Sequence, residues 1–297
     1  MRRLKGRVQR AGESLWCAGF RLIGRARQPE GKEIGFDGAA AVLVVAPHPD
    51  DEVAGCGGTI VRHTVAGDRV TIVYVTDGRR SRALGLPAAL MAEARQREAG
   101  AAATVLGVDR SMWLGLPEGA WRDSELERRL ARVLDEVAPA IVYAPSRVDF
   151  HPEHAKVAHA LAAALTAAAP AGRRPVIRIF QVQVPLGAPL VNRWADVSGH
   201  ASVLRAAVAA HASQVGSLER CLRMRRYAAC RRGAAALAEE FWEINVDGYV
   251  ALHGTPPAEW QRSFRALRYF VATDPCAYLV GGRARRRLLD LISRTIC

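Results

Sequence analysis

No stretch of the 297-residue sequence approaches the roughly 18 continuous apolar residues that a membrane-spanning helix needs. The segment LWCAGFRLI at 15–23 follows basic residues in the manner of a signal peptide, but Arg21 interrupts it and no clear small-x-small cleavage site follows. The six cysteines form no C-x-x-C pair and no framework spacing, which argues against a disulfide scaffold and predicts a reduced, cytoplasmic protein. Aromatic residues are only 6% of the chain, and no aromatic-rich nucleic-acid module appears. There is no internal repeat and no long low-complexity linker. What remains is ordinary globular composition, 50% hydrophobic and 24% charged, at a length that suits one large α/β domain with or without an appendage.

Charge is the unusual quantity. The formal net charge is +13, and the surplus is clustered. Arg2, Arg3, Lys5, Arg7 and Arg10 crowd the amino end. A second cluster runs from Arg220 to Arg232, and a third comprises Arg283, Arg285, Arg286 and Arg287. Such surfaces attract anionic membranes, phosphorylated substrates or nucleic acid, or are simply solvated basic faces. Residues 1–35 read as a basic amphipathic segment suited to peripheral contact with an anionic membrane at the inner face.

Hydrophobic patterning organises residues 36–250 as one domain and leaves 251–297 as a basic extension. Short apolar runs rich in β-branched residues predict strands at 41–46, 69–76, 111–114, 140–144 and 176–184, with a late strand at 242–246. Helical spacing predicts helices at 59–66 after Gly55, Gly57 and Gly58, at 87–106, from 124, at 154–168, at 200–213 and at 217–240. The S-x-x-E spacing of Ser124 and Glu127 matches a capping box, and 283–292 suits a closing basic helix. Alternating strands and helices predict an α/β fold, a Rossmann-like and mostly parallel sheet with helices on both faces. Sites in such sheets form at the carboxyl ends of strands.

Chemistry-bearing residues gather at those ends. The run VVAPHPDDE at 44–52 ends the first strand in His48, Asp50, Asp51 and Glu52, and Asp149, His151 and His154 follow the fourth. A catalytic zinc takes three nitrogen or oxygen ligands and leaves one position open. Two adjacent aspartates can divide the work, one on a metal and one on a water. Each residue also has a plain structural role open to it, as a helix cap or a core histidine, and H-x-x-H alone is a weak signal. Their joint occurrence at two strand ends favours a metal. Cys56 lies close by and reads as a small apolar filler.

PHPDDE at 47–52 together with HPEH at 151–154 resembles the PIG-L/LmbE-like de-N-acetylases. Arg95 and Glu98 in an R-x-x-E helix, LGLPEG at 114–119 and HASQ at 211–214 extend the similarity over roughly residues 39–246. The resemblance implies a zinc hydrolase that removes acetyl from N-acetylglucosamine units. It implies His48, Asp51 and His154 as ligands of Zn2+, with Fe2+ able to occupy the same set. It implies Asp50 as general base, His151 as a cationic stabiliser of the oxyanion or a proton donor, and Arg95 and Asp123 as substrate contacts. Arg95 alternatively pairs with Glu98, and Asp123 alternatively caps a helix. Glu153 departs from the family's usual HPDH, and Asp149 is expected to orient His151 or to cap the helix near His154.

The function read from this is hydrolysis of an N-acetyl group on an amino-sugar glycoconjugate. Two alternatives remain: an amidase for a larger N-acyl group, and a basic lipid- or nucleic-acid-binding protein whose metal site is not catalytic. Nucleic acid is not the expected partner, and the sequence leaves the oligomeric state open.

Overall fold

The computed structural model describes residues 15, 17–19, 31–168, 174–187, 189–254 and 282–296. In chain order the strands are β1 (Lys32–Glu33), β2 (Ala41–Ala46), β3 (Arg69–Thr76), β4 (Arg110–Leu116), β5 (Ile141–Ala144), β6 (Val176–Ile179), β7 (Arg193–Asp196) and β8 (Ala238–Ile244). The helices are α1 (Asp51–Ala66), α2 (Ala88–Val105), α3 (Asp123–Val137), α4 (Pro152–Ala167), α5 (Ala201–Ala210), α6 (Val215–Arg232), α7 (Val246–Gly254) and α8 (Gly282–Ile296). Among the described residues no helix is long and apolar enough to cross a membrane.

One sheet runs in the order β1-β7-β8-β6-β5-β2-β3-β4. Strands β2 to β6 pair in parallel, and β8 is antiparallel to both neighbours. The middle strand of the parallel part is β2, whose Val42 to Ala46 have no exposed surface. Alternating side chains along it face opposite layers. Leu43 and Val45 pack with Leu126 and Leu130 of α3, Val157 and Leu161 of α4 and Leu288 of α8. Val42, Val44 and Ala46 pack with Ile60 of α1, Ala99 of α2 and Leu204 of α5. A strand buried on both faces favours apolar side chains throughout, which is why its sequence is a continuous apolar run.

The expected α/β architecture is present, with local differences. α1 begins at Asp51 rather than 59, so its glycines lie inside the helix. They are there because neighbours come too close for a side chain. A Cβ on Gly55 would lie 2.5 Å from the Phe180 ring, and one on Gly58 would lie 2.6 Å from Val197 Cβ. The helix kinks at Cys56, and the Gly58 and Thr59 amides donate to buried Glu239. Val197 is β-branched and has no free rotation to give way. Gly58→Ala is therefore expected to destabilise the fold by about 1–3 kcal/mol through overpacking. Gly57→Ala, which meets only the tip of Leu204, should cost less. Chemical denaturation of the two variants compares them, and equal stabilities would contradict the packing argument.

The capping box is not formed. Arg122 occupies the N-cap of α3 with no side-chain cap bond, and Ser124 lies within the first turn. The helix expected over 217–240 ends at Arg232, where Gly233 takes φ +74°. Glu239 and Glu240 instead enter β8 as buried partners of arginine: Arg225 with Glu239, and Arg231 and Arg232 with Glu240. Much of the second basic cluster is thus engaged inside the fold. The strand expected to reach 184 stops at Ile179, and the late strand starts at Ala238. Edge strands β1 and β7, of two and four residues, carry too little pattern to be read from sequence. The basic stretch from Arg2 to Arg10 lies outside the described residues, as does the segment 255–281.

Candidate metal centre

From β2 the chain winds to β3 and β4 on one side, and from β5 to β6 on the other. Diverging connections at neighbouring strands leave a crevice at their carboxyl ends. Here it is a cleft of ≈ 440 Å³, lined among others by His48, Asp50, Asp51, Arg95, His151 and His154. The first three follow β2 directly. The two later histidines stand at the start of α4, beyond the short 3-10 turn Arg147–Asp149 that follows β5.

Three donor atoms converge. His48 Nδ1 lies 3.0 Å from Asp51 Oδ2, His154 Nε2 lies 3.1 Å from the same oxygen, and the two nitrogens are 3.3 Å apart. Tetrahedral ligands about 2.05 Å from a zinc ion stand about 3.3 Å from one another, so the triangle has the size of a metal face. The remaining ring nitrogens are held by carboxylates. Glu153 Oε2 lies 2.5 Å from His48 Nε2, and Asp149 Oδ2 lies 2.7 Å from His154 Nδ1. Carboxylate–histidine pairs of this kind fix the ring orientation of metal ligands.

The electrostatics demand a cation. Burial opposes protonation of both imidazoles, yet Asp51 and Glu153 push His48 up to about 9, and Asp51 and Asp149 push His154 up to about 10. Burial would raise Asp51, but the charges and hydrogen bonds of His154 and His48 hold it well below the usual carboxylate range. A buried group of three carboxylates and two imidazoles is stable only with positive charge among them, from protons or from a divalent ion. The residues present therefore fit a metal.

Asp50 is held differently. Its φ is 154°, and Arg95 Nη2 lies 2.9 Å from its Oδ1. The same guanidinium donates to the Pro49 carbonyl. Burial pushes Asp50 up to about 6, against the Arg95 charge. His151 is packed edge-on to His48, with ring centroids 4.9 Å apart, and its Nδ1 has no hydrogen-bond partner among the described residues. Burial, then the charges of His154 and His48, push it down to about 4. Burial thus favours the neutral imidazole, whereas the sequence reading expects a cation.

The PIG-L family profile, described as GlcNAc-PI de-N-acetylase, matches residues 43–165. A probable N-acetyl-alpha-D-glucosaminyl L-malate deacetylase 2 of Bacillus anthracis is 30% identical over 186 residues, which are 58% of this chain and 80% of that protein. The chain belongs to the PIG-L family. A 1D-myo-inositol 2-acetamido-2-deoxy-alpha-D-glucopyranoside deacetylase of Kineococcus radiotolerans is 31% identical, over 47% of this chain and 48% of that protein. Among solved structures, the N,N'-diacetylchitobiose deacetylase of Pyrococcus horikoshii shares the fold at TM-score 0.61 and 24% identity, over 74% of this chain and 88% of the other.

The outer motifs of this PIG-L chain brace the centre. Glu52 is fully buried and pairs with His211 at 2.8 Å, which gives the third acid of the first motif a structural partner. Glu98 accepts from the Ser213 amide and hydroxyl, so its partner is the late H-x-S-Q element and not Arg95. Asp149 holds His154 and not His151, because its other oxygen is fixed by the amides of Val182, Gln183 and Val184. Asp123 is exposed in the first turn of α3 and does not line the cleft, so nothing in its position favours a substrate contact. Arg95 lines the cleft but is only 5% exposed and already bound to Asp50 and Pro49, which suits it to holding Asp50 more than to gripping sugar. Cys56 is a buried free thiol in the core, pushed well up by burial.

Helix α7 fastens the loop that carries Asp149. Tyr249 Oη donates to the Pro145 carbonyl, His253 Nδ1 donates to the Tyr249 carbonyl, and His253 Nε2 accepts from the Arg147 amide. Burial, then the Arg147 charge, push His253 down to about 3. An unfolded histidine titrates near 6.5, so the unfolded chain binds more protons between those values. His253 therefore contributes stability that is complete above about pH 6.5 and is lost as pH falls toward 3. The slope of Tm against pH between 6.5 and 4 should flatten in His253→Gln relative to wild type. Parallel profiles would show that His253 does not titrate on unfolding.

Proposed function

We propose that the chain is a zinc-dependent N-deacetylase that hydrolyses the acetamido group of an N-acetylglucosamine-type glycoconjugate. The observation that carries this reading is the triangle of His48, Asp51 and His154 donors beside Asp50 in the cleft. Membership of the PIG-L family and the named activities of the B. anthracis and K. radiotolerans relatives support the substrate class.

In this reading His48, Asp51 and His154 hold the ion, with Glu153 and Asp149 orienting the two rings. A bound divalent ion supplies Lewis acidity toward a water and toward the amide carbonyl. Asp50 takes the proton from the attacking water and returns it to the departing amine. A carboxyl that titrates near 6 is suited to both transfers at neutral pH. Arg95 keeps it aimed, since a carboxylate bound on one oxygen presents the other. Neutral His151 donates its N–H to the developing oxyanion, a bond that strengthens as charge accumulates there. The arginine clusters that suggested a binding protein favour the reading less, because Arg225, Arg231 and Arg232 bond buried glutamates.

The test is acetate release from a simple N-acetylglucosaminide by protein loaded with zinc, and loss of that release on chelation. A matched substrate with a longer acyl chain separates the deacetylase from an amidase for larger groups. No release of either acid by the zinc-loaded protein would refute the hydrolase.

A further inference from the structure

The third basic cluster is not all surface. Arg283, Arg286 and Arg287 of α8 are exposed, whereas Arg285 is the largest fully buried side chain among the described residues. Leu288, three residues on, is buried as well, so the two share the inner face of the helix. Burying a guanidinium is costly unless its donors find acceptors. Here Nη2 donates to the Pro185 carbonyl at 2.6 Å. The group also lies against Gly187, where a Cβ would come 2.7 Å from Cζ and 2.8 Å from Nε. Gly187 takes φ +74°, so glycine is needed there for conformation as well as for room.

Arg285 thereby holds the loop that fixes Asp149. Residues 184–187 are buried. The amides of Val182, Gln183 and Val184 converge on Asp149 Oδ1 at 3.3, 2.6 and 2.9 Å. The Leu186 amide closes the loop on Gln181 Oε1 at 2.7 Å. Asp149 Oδ2 in turn holds His154 Nδ1 at 2.7 Å. Hydrogen bonds and chain run unbroken from α8 to one corner of the donor triangle. We propose that Arg285 is a positioning residue for the metal centre: by clamping the 181–187 loop it sets Asp149, and through Asp149 the aim of the His154 ring. This role presupposes the metal centre read in the cleft. It adds a residue far beyond position 165, where the family profile ends. A ligating imidazole takes its orientation from the partner of its other nitrogen, and a carboxylate oxygen held by three amides moves with them. Helix α7 fastens the loop that carries Asp149, and α8 fastens the loop that Asp149 binds.

The probe is zinc alone, titrated into the metal-free full chain against a competing chelator. Arg285→Met keeps an apolar stem and removes the donors. It should weaken zinc affinity by on the order of 10-fold, the low end of what loss of a direct partner of a ligating histidine produces. Arg285→Lys keeps a donor for the Pro185 carbonyl and should restore part of the affinity. Gly187→Ala disturbs the same contact from the loop side and should weaken zinc binding in the same way, so one misfolded variant does not decide the outcome. In an Asp149→Ala background the loop and the ring are disconnected, and there Arg285→Met should change affinity by less than about 2-fold. A purely packing role gives a different pattern. Wild-type affinity in folded Arg285→Met, or the same loss with and without Asp149, overturns the proposal and leaves the metal centre standing. Wild-type protein that binds no zinc overturns both. Acetate release plays no part in the measurement, so failure to cleave a substrate refutes the hydrolase alone.

Discussion

Asp50→Asn is expected to lower kcat by on the order of 10²–10⁴-fold while metal content stays at the wild-type level. The side chain keeps its shape, so the strained backbone at φ 154° and the cleft are disturbed little. What is lost is the ability to accept a proton and the charge that Arg95 holds at 2.9 Å. KM should change far less than kcat, since a base acts in the transition state and contributes little to ground-state binding. Arg95→Ala should reproduce part of the loss, and the two substitutions together should cost less than the sum of their separate effects, because Arg95 acts through Asp50. Metal analysis alongside steady-state kinetics makes the test. An Asp50→Asn enzyme with near-normal turnover, or one that has lost its metal, would remove Asp50 from the role of base.

The sequence made this carboxylate visible but left its division of labour open. VVAPHPDDE showed a strand ending in a histidine and three acids, and the strand is where the hydrophobic run placed it. The α/β class was legible for the same reason, because parallel strands buried on both faces are continuous apolar runs. Adjacent residues diverge, and that much predicts different partners for Asp50 and Asp51. Nothing local says that Glu52 turns inward to His211, 159 residues away, or that Glu98 meets Ser213. Those pairings depend on where α5 and the loop after it dock. Asp149 shows the limit most clearly. The histidine nearest to it in sequence is His151, two residues on, but the amides at 182–184 fix its orientation and bring it to His154. Glu153, which looked like a departure from the family pattern, accepts a bond from the His48 ring and so joins the two motifs. The sequence reading places Gly55, Gly57 and Gly58 ahead of a helix over 59–66; glycine weakens a helix, but close packing against Phe180 and Val197 sets these inside it.

His154→Ala is expected to abolish retention of the metal through dialysis and to remove turnover with it. The residue supplies one corner of the donor triangle and is 2% exposed, and its removal also leaves the buried Asp149 Oδ2 without its imidazole partner. Asp149 separates the contribution of the ring's orientation from that of the ring itself. Asp149→Asn keeps an oxygen for the amides of Val182, Gln183 and Val184 but removes the negative charge behind His154. Weakening of metal affinity by roughly 10–100-fold, with folding stability nearly unchanged, is the expected outcome. Asp149→Ala removes both functions, and the stranded amides should lower stability by about 1–3 kcal/mol as well. Zinc titration against a competing chelator, together with denaturant unfolding of the metal-free proteins, measures the two effects independently. If His154→Ala retained zinc with wild-type affinity, the ion would have to lie elsewhere. The alternative donor group of His48, Glu118 and Glu153 would then be the site to examine, with Asp51 no longer a ligand.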